Sequence, residues 1–278
     1  MEIKITTLSE NTAKMGGFLA EWGISMLVEA DGMRILFDCG AGNSAVYNAS
    51  LLGIDLSAID CIVLSHGHHD HTGGLREVLR RTGPREVFAH PDIWQSKYAN
   101  RPGEAERYIG IPFAREELES RGAVFKLSSQ PVRLSSRIMT TGEVPLLTPY
   151  EEIDPGLVVK QDGRETPDRL ADDLALVIDA DFGLVVITGC AHRGIVNTLL
   201  RAQSLTGKEL VYAAVGGTHL FRADENRLLA TTQALQGMGL LRLGASHCTG
   251  FTASAYLASR LGEAFFLNNT GTEVTLPG

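Results

Sequence analysis

The side chains best suited to chemistry in this chain form one dense cluster of histidine and aspartate. The cluster reads His66-Gly67-His68-His69-Asp70-His71 and follows a short apolar run at residues 61–64. In an extended segment, side chains two residues apart point the same way, so His66 and His68 can converge on one point. The chain then turns toward a helix expected to begin near residue 72, which delivers Asp70 and His71 to a second point. Imidazole and carboxylate groups suit zinc, iron or manganese, and the cluster therefore predicts a metal site.

Short strands and helices must position this cluster. Residues 24–30 and 33–37 are strand-like runs joined at Asp31-Gly32, and an Asp-Gly pair between apolar runs is typical of a hairpin. The continuously apolar run at residues 61–64 predicts a strand buried on both faces. A helical pattern with one apolar face follows the cluster and ends at Gly83-Pro84. The predicted site therefore lies where a buried strand gives way to a helix.

The last third of the chain repeats this logic. A second strand pair is predicted at residues 174–179 and 184–187, followed by alternating helices and strands to the end. Two halves, each of strands followed by helices, predict two packed sheets with helices outside, an α+β fold with an αββα sandwich. We expect a single domain over residues 1–278, with two insertions. Residues 91–122 are predicted to be helices and loops at the mouth of the site, and residues 144–170 a long irregular segment.

Composition and charge exclude several classes of protein. The net charge is −8, whereas a nucleic-acid-binding surface needs clustered lysine and arginine. The first residues do not read as a signal peptide, and we expect no membrane span. The four cysteines are widely spaced and form no Cys-x-x-Cys pair, which fits a reducing cytoplasm better than a disulfide scaffold. The expected protein is therefore cytoplasmic and binds neither nucleic acid nor membrane.

The pattern His-x-His-x-Asp-His after a buried strand resembles the signature of the metallo-β-lactamase superfamily. Residues 37–40, Phe-Asp-Cys-Gly, resemble that family's early Asp-x-Gly turn. Residues 188–192 and 246–250 resemble its later metal-binding loops. The resemblance implies a four-layer αββα sandwich, with two divalent metal ions, zinc first and iron or manganese as alternatives, at the edge where the two sheets meet.

Four motifs in order are similar to one branch, the dihydropterin ribofuranosyl-aminobenzene 5′-phosphate synthases. These motifs lie at residues 65–75, 189–197, 216–220 and 247–250. The implied ligands are two sets of three. The first set is His66, His68 and His192, and the second is Asp70, His71 and His247.

This chain departs from the superfamily at two positions. Most members carry a metal-bridging aspartate after Thr-Gly, whereas this sequence reads Thr188-Gly189-Cys190. Cys190 is then either a ligand or a buried neighbour of the metals. The usual histidine before the second strand pair is also missing near residues 167–170.

Other polar residues each have a functional and a structural interpretation. His219 is a candidate substrate ligand or proton carrier, against a loop histidine that satisfies a backbone carbonyl, and Asp38 is expected to orient a metal-binding histidine. Thr249 and Gly250 precede a predicted helix, so they suit either phosphate binding or ordinary helix capping. The remaining polar residues are expected to have structural roles. His69 points away from the metals, His90 has a structural role, and Asn197 holds a loop. Three arginines are candidates for binding a substrate phosphate, but a solvated surface position is the favoured interpretation of each: Arg164, Arg169 and Arg222.

The leading interpretation is a metal-dependent enzyme. Two metal ions would activate water and polarise a phosphoryl or carbonyl oxygen, with Asp70 orienting the nucleophile. Hydrolysis is the default chemistry, and the branch resemblance also allows transfer on a phosphorylated pterin or phosphoribosyl compound. The alternative is a non-catalytic protein that uses the metal site to bind a small effector. A true β-lactamase is not expected, because no export signal is apparent. The net negative charge argues against a nuclease. The chain length leaves little room for the flavin domain that an iron redox enzyme would need.

Overall fold

Two large β-sheets lie face to face and bury the most apolar strands between them. The computed structural model describes residues 1–277. The strands in that range are β1 Ile3–Ser9, β2 Ser25–Ala30, β3 Met33–Phe37, β4 Cys61–Val63, β5 Arg85–Ala89, β6 Lys97–Ala99, β7 Arg107–Tyr108, β8 Ala123–Leu127, β9 Ile138–Thr140, β10 Leu157–Gln161, β11 Arg164–Pro167, β12 Ala175–Ala180, β13 Gly183–Thr188, β14 Val211–Gly217, β15 Arg242–Ser246, β16 Phe265–Leu267 and β17 Glu273–Leu276. The seven-stranded sheet has the order β17-β1-β2-β3-β4-β5-β8, and the six-stranded sheet has the order β16-β15-β14-β13-β12-β9.

Helices cover the outer face of each sheet. They are α1 Ser44–Leu51, α2 His69–Thr72, α3 Leu75–Thr82, α4 Arg115–Ser120, α5 Ile195–Thr206, α6 Glu225–Gly237 and α7 Phe251–Leu261. Single 3₁₀ turns occur at Leu56–Ala58, Pro91–Trp94, His247–Thr249 and Gly262–Ala264. Helices α1, α3 and α4 pack on the seven-stranded sheet, whereas α5, α6 and α7 pack on the six-stranded sheet. The predicted α+β fold with four αββα layers is confirmed.

Of the four apolar clusters in residues 1–277, three follow from this layering, and the fourth, smaller one lies at the small sheet described below. The central core joins side chains of the two sheets, such as Ile35 and Ile187. These side chains meet because every second residue of a strand points toward the opposite sheet. One outer core lies under α3, whose Leu75, Val78 and Leu79 are buried as predicted. The other lies under α5, α6 and α7. Because both sheets are covered on both faces, their strands are fixed in place and can hold a site at their edge.

The local strand predictions agree closely with the structure. The hairpin turns at Asp31-Gly32, with Ala30 paired to Met33. The second pair turns at residues 181–182, with Ala180 paired to Gly183. Both turns use a residue at positive φ, Asp31 in the first and Gly183 in the second, which tight hairpins require.

Two expectations about the insertions were wrong. Residues 144–170 are not wholly irregular, because β10 and β11 form an antiparallel pair. Residues 91–122 also contribute strands, β6 and β7, and the four strands make a small sheet of order β11-β10-β6-β7. The helix predicted from near residue 72 is α3, which begins at Leu75, and a separate single turn that was not predicted, α2, begins at His69 and contains Asp70 and His71. Within residues 1–277, none of the helices has the length and apolar character needed to cross a membrane.

Candidate metal centre

The candidate ligands come from the carboxyl ends of three strands. His66 follows β4, His192 follows β13 and His247 follows β15. β13 is parallel to β14, and β14 is parallel to β15, so their loops emerge on one edge of the six-stranded sheet. The loop after β4 meets them there from the seven-stranded sheet. The cluster therefore forms at the edge that the two sheets share.

The first set of side chains converges through ring nitrogens. His66 Nε2 lies 2.9 Å from His68 Nδ1 and 3.2 Å from His192 Nε2. Ligand nitrogens of a tetrahedral zinc site stand about 3.3 Å apart, given zinc–nitrogen bonds of about 2.0–2.1 Å. The second ring nitrogens of His68 and His192, which are Nε2 and Nδ1 respectively, are buried without a hydrogen-bond partner in the described structure. Three imidazole nitrogens that face one another are better suited to binding a cation than to hydrogen bonding among themselves.

The second set combines a carboxylate with two imidazoles. Asp70 Oδ2 lies 3.2 Å from His247 Nε2. One ligand atom from each of Asp70, His71 and His247 lies within 4.8 Å of the other two. This is the second trio that the sequence predicted, although its ligand role stays a prediction.

Cys190 lies between the two sets. Its sulfur is 3.2 Å from His71 Nε2. It also falls within 4.8 Å of ligand atoms of His66, His192 and His247. This is the place expected for the missing bridging aspartate, and burial raises the pKa of the Cys190 thiol well above its ordinary value.

The electrostatics keep four of the candidate ligands, His66, His68, His192 and Asp70, in their metal-binding forms. Burial, reinforced by the neighbouring histidines, lowers the pKa of His66 and His192 well below the usual value, so both rings are neutral. Burial also lowers the pKa of His68, against a smaller opposing effect of Asp70. Burial alone would raise the pKa of Asp70, but His71 and His247 hold it far below its ordinary value, so this carboxylate is ionised.

The outward nitrogens of three rings are held by polar neighbours. His71 Nδ1 lies 2.7 Å from Asp38 Oδ2, and His247 Nδ1 lies 2.8 Å from Asn11 Oδ1. His66 Nδ1 lies 2.9 Å from the Ser65 hydroxyl. When such a ring is neutral, a hydrogen on Nδ1 leaves Nε2 with its lone pair directed into the cluster.

Asp38 also fixes the start of the histidine loop. Its two carboxylate oxygens accept from the Ser65 backbone N–H and hydroxyl, each at 2.7 Å. Burial lowers the pKa of His71, but the opposing charge of Asp38 and then of Asp70 raises it to about 9. The contact with His71 is the one predicted for Asp38, whereas the role of His71 as a metal ligand stays a prediction.

Four residues at the site adopt left-handed backbone conformations. The φ angles are 57° at Asp38, 54° at Ala191, 49° at His219 and 50° at His247. Such angles are unfavourable for residues with a Cβ and persist only where the surrounding contacts enforce them. The loops that carry the cluster are therefore held under strain, as is common at functional sites.

A buried ion-pair network supports the loop between His66 and His68. Lys97 is fully buried, and its Nζ donates to Asp168 Oδ2 at 2.8 Å and Asp172 Oδ1 at 2.9 Å. The other oxygen of Asp172 accepts from the Gly67 backbone N–H at 2.8 Å. A Cβ on Gly67 would stand 2.3 Å from the carbonyl oxygen of Ile93, so this position requires glycine. The network connects the small sheet directly to the histidine loop.

The cluster forms the floor of a cavity of 390 Å³. Apolar walls rise from it on both sides, Trp22 and Phe221 among them. His219 also faces the cavity and stacks on His192 with 4.0 Å between ring centres. Both ring nitrogens of His219 lack a hydrogen-bond partner in the described structure, so the backbone-carbonyl interpretation finds no support. These features suit a small organic ligand that reaches the floor.

Two predicted substrate residues do not line this cavity. Thr249 is buried, and its hydroxyl accepts from the Thr218 hydroxyl at 3.0 Å. Gly250 is the N-terminal cap of α7, and the helix has no side-chain cap. The Thr249 side chain does not cap α7, and its role in phosphate binding stays a prediction.

The other histidines and Asn197 have structural contacts. His69 Nδ1 lies 3.3 Å from the Ile109 carbonyl oxygen and takes no part in the ligand sets. His90 Nδ1 accepts from the Asp92 N–H at 3.0 Å. Asn197 Oδ1 accepts from the N–H groups of residues 147 and 148 and so holds that loop.

The three arginines named as possible phosphate ligands lie in different environments. Arg164 is exposed on β11, and the Arg169 carbonyl accepts from Arg193 at 2.8 Å. Arg222 faces the cavity, as do Arg101 and Arg107, which sequence reasoning did not single out.

Several residues that support the candidate metal centre were not predicted from the sequence. Lys97 and Asp172 carried no local signal, since the contact between Asp172 and Gly67 spans 105 positions. Cys248 was noticed only as part of a motif, yet its sulfur accepts from the His219 N–H at 3.2 Å and joins a ligand group with Cys190 and His247. The one sequence feature that could have indicated the ion-pair network of Lys97 and Asp172 is the acidic composition of residues 168–173.

Comparison with known proteins gives a consistent result. Residues 24–196 match the model of the metallo-β-lactamase superfamily. Over 273 residues the chain is 34% identical to the 7,8-dihydropterin-6-methyl-4-(β-D-ribofuranosyl)-aminobenzene-5′-phosphate synthase of Methanocaldococcus jannaschii, covering 95% of this chain and 93% of that protein. An uncharacterised protein of the same organism is 31% identical over 255 residues, with 91% and 93% coverage.

A solved structure supports the same assignment. The crystal structure of Tm1679, a metal-dependent hydrolase of the β-lactamase superfamily, superposes with a TM-score of 0.85 at 27% identity. The match covers 98% of both chains. By family model, sequence similarity and fold, this chain belongs to the metallo-β-lactamase superfamily.

Proposed function

We propose that this protein is a hydrolase-like enzyme that acts on a small, phosphate-bearing substrate through a dinuclear metal site. The substrate class is a phosphorylated pterin or phosphoribosyl compound. One observation carries the proposal: two trios of buried ligand atoms lie side by side at the floor of one cavity, with Cys190 between them. The synthase named above supports the substrate class, because its product name contains a ribofuranosyl phosphate.

The chain's own residues have distinct roles in this proposal. His66, His68 and His192 hold one ion, most simply zinc, and Asp70, His71 and His247 hold the other. Bound ions would supply Lewis acidity and lower the pKa of water at the site. Asp70 also lies at the cavity wall, where its second oxygen is able to orient an attacking water.

His219 has the position of a proton carrier. Its ring lines the cavity above the first trio, and its nitrogens are free of hydrogen bonds to described residues. An imidazole so placed can hold or release a proton at the leaving group. Its backbone N–H donates to the sulfur of Cys248 at 3.2 Å, which anchors the loop that carries it.

We also propose that the protein works in the cytoplasm without nucleic-acid or membrane partners. The four cysteines are free and buried, which suits a reducing compartment.

Turnover assays test the proposed function. Purified protein with its native metals is assayed against phosphomonoesters, phosphodiesters and thioesters, beside His68→Ala and the control His90→Gln. His90 is also a buried histidine but lies outside both trios. We expect phosphate-ester turnover that is lost in His68→Ala and kept in the control. Metal-dependent binding of small phosphates without turnover of any ester would instead identify an effector-binding protein.

A further inference from the structure

We propose that the outer rim of the cavity is a second anion site, which takes a phosphate of the substrate that is not the group reacting at the metals. The rim is formed by Arg101, Arg107 and Arg222, and we call it the arginine rim. This inference rests on the proposed function and extends it. The substrate class becomes a compound with an apolar or planar middle and an anion at its far end.

The three arginines come from separate segments. Arg107 lies on β7 and Arg101 on the connection between β6 and β7, whereas Arg222 lies on the loop after β14. In a chain of 25 basic and 33 acidic residues, this cavity is lined by three guanidinium groups and by two carboxylates, those of Asp70 and Glu104, so the arginines outnumber the acidic groups here. Guanidinium groups bind phosphate through paired hydrogen bonds, which lysine cannot do.

Two of these groups have spare binding capacity. Arg101 is paired with Asp154 at 2.7 Å, so most of its charge is already balanced. Among residues 1–277, the carboxylate within ion-pair distance of Arg222 is that of Glu104, at 3.9 Å, which is beyond hydrogen-bond distance. For Arg107, no carboxylate lies within ion-pair distance among residues 1–277. Arg107 and Arg222 are therefore the groups expected to bind an incoming anion.

An aromatic wall connects the floor to the arginine rim. The Phe221 ring is 5.2 Å from the His219 ring, and the Arg222 guanidinium is 5.3 Å from the Phe221 ring. Trp22 stands beside His247 on another wall, 5.0 Å between ring centres, and its side chain is 58% exposed. Ile109 and Leu157 add apolar surface. A ring between the two anionic ends of a ligand would lie against these side chains.

Paired aryl phosphonates test the arginine rim without any turnover. The probes are phenylphosphonate, with one anionic group, and 1,4-phenylenediphosphonate and its biphenyl homologue, with two. Binding to the metal-loaded protein is measured by calorimetry. One phosphonate is available to the metals in every probe, so the second reports on the rim. We expect at least one diphosphonate to bind about tenfold more tightly than the monophosphonate, from charge-assisted hydrogen bonds to guanidinium.

Matched variants locate the second phosphonate. The double variant Arg107→Met/Arg222→Met should lose the diphosphonate advantage, whereas Arg164→Met, an exposed arginine of the same small sheet outside the cavity, should keep it. Unchanged phenylphosphonate affinity shows that the double variant is folded around intact metals. The proposal is overturned if diphosphonates bind no more tightly than the monophosphonate, or if their advantage survives in the double variant. Failure of the proposed function would look different, as normal probe binding without turnover of any phosphate ester.

Discussion

The buried network around Lys97 gives the sharpest prediction, because its contacts define two different costs. Replacing Lys97 by methionine removes the charge that pairs with Asp168 and Asp172, both of them buried. Removing one partner of a buried ion pair costs about 3–5 kcal/mol of folding stability. Asp172→Asn is milder, since Asp168 still balances Lys97 and the amide oxygen can accept one hydrogen bond. We expect a loss of about 1.5–3 kcal/mol, the contribution of a hydrogen bond to a charged group.

The same variants should weaken metal binding. Asp172 holds the Gly67 N–H, and Gly67 separates His66 from His68. Losing an outer partner of metal ligands typically lowers affinity by about 10–100-fold, and we expect that range for Asp172→Asn. The measurements are denaturant unfolding of the metal-free protein and competition with a chelator of known affinity.

A surface ion pair provides the matched control. Lys126 and Glu86 lie 3.3 Å apart with about half of each side chain exposed, so Lys126→Met should change stability by less than about 1 kcal/mol. If Asp172→Asn matches the parent in both stability and metal affinity, the network does not position the histidine loop and the reasoning is wrong.

Four further predictions follow from the site. Elemental analysis should give about two metal ions per chain, falling to about one in His192→Ala and in His247→Ala, which belong to different trios; absence of transition metal under several loading conditions would exclude the dinuclear site. Cys190→Asp should bind the second ion more tightly than the parent and Cys190→Ser should not, because the aspartate would add an ionised carboxylate ligand and the serine hydroxyl would not; if both variants match the parent in metal content and affinity, Cys190 is only packing. Chelation should lower the thermal midpoint, since metals that bind only the folded chain stabilise it by mass action, and an unchanged midpoint would contradict this. Burial raises the pKa of Asp173 to about 7, so the folded state retains a proton that the unfolded state has released; stability should fall as pH rises from about 4 to 7, by at most about 1.4 kcal/mol per unit, and Asp173→Asn should flatten that slope in unfolding titrations.

The sequence predicted the parts of the molecule whose signals are local. The histidine cluster is contained in six residues, and the hairpin at Asp31-Gly32 depends on its own turn. The four-layer fold followed from the order of strands and helices together with the family resemblance. The side chains of both predicted trios lie close together, because the loops after β4, β13 and β15 share one edge, and their role as metal ligands stays a prediction.

What sequence could not predict depends on distant pairings. β10 and β11 lie in a segment rich in proline and charge, where composition favours irregular structure, but pairing with β6 overrides that local preference. Lys97 would be improbable as a fully buried residue unless its two carboxylate partners, more than 70 positions away, were known. Arg107 gains its position at the cavity from the same small sheet.

The pairing of the last strand with the first has a consequence for biosynthesis. Ile3 on β1 lies opposite Leu276 on β17, and the backbone N–H of His247 is held by the Glu10 carboxylate at 2.6 Å. As the chain leaves the ribosome, one edge of β1 therefore stays unpaired until β17 has been made. The second ligand trio is equally delayed, because its last member is His247. Contacts of such long sequence separation form slowly and leave edges open to wrong partners. We therefore expect nascent chains cut short of β17 to depend on chaperones and to take up metal poorly, even though the whole histidine cluster has already emerged.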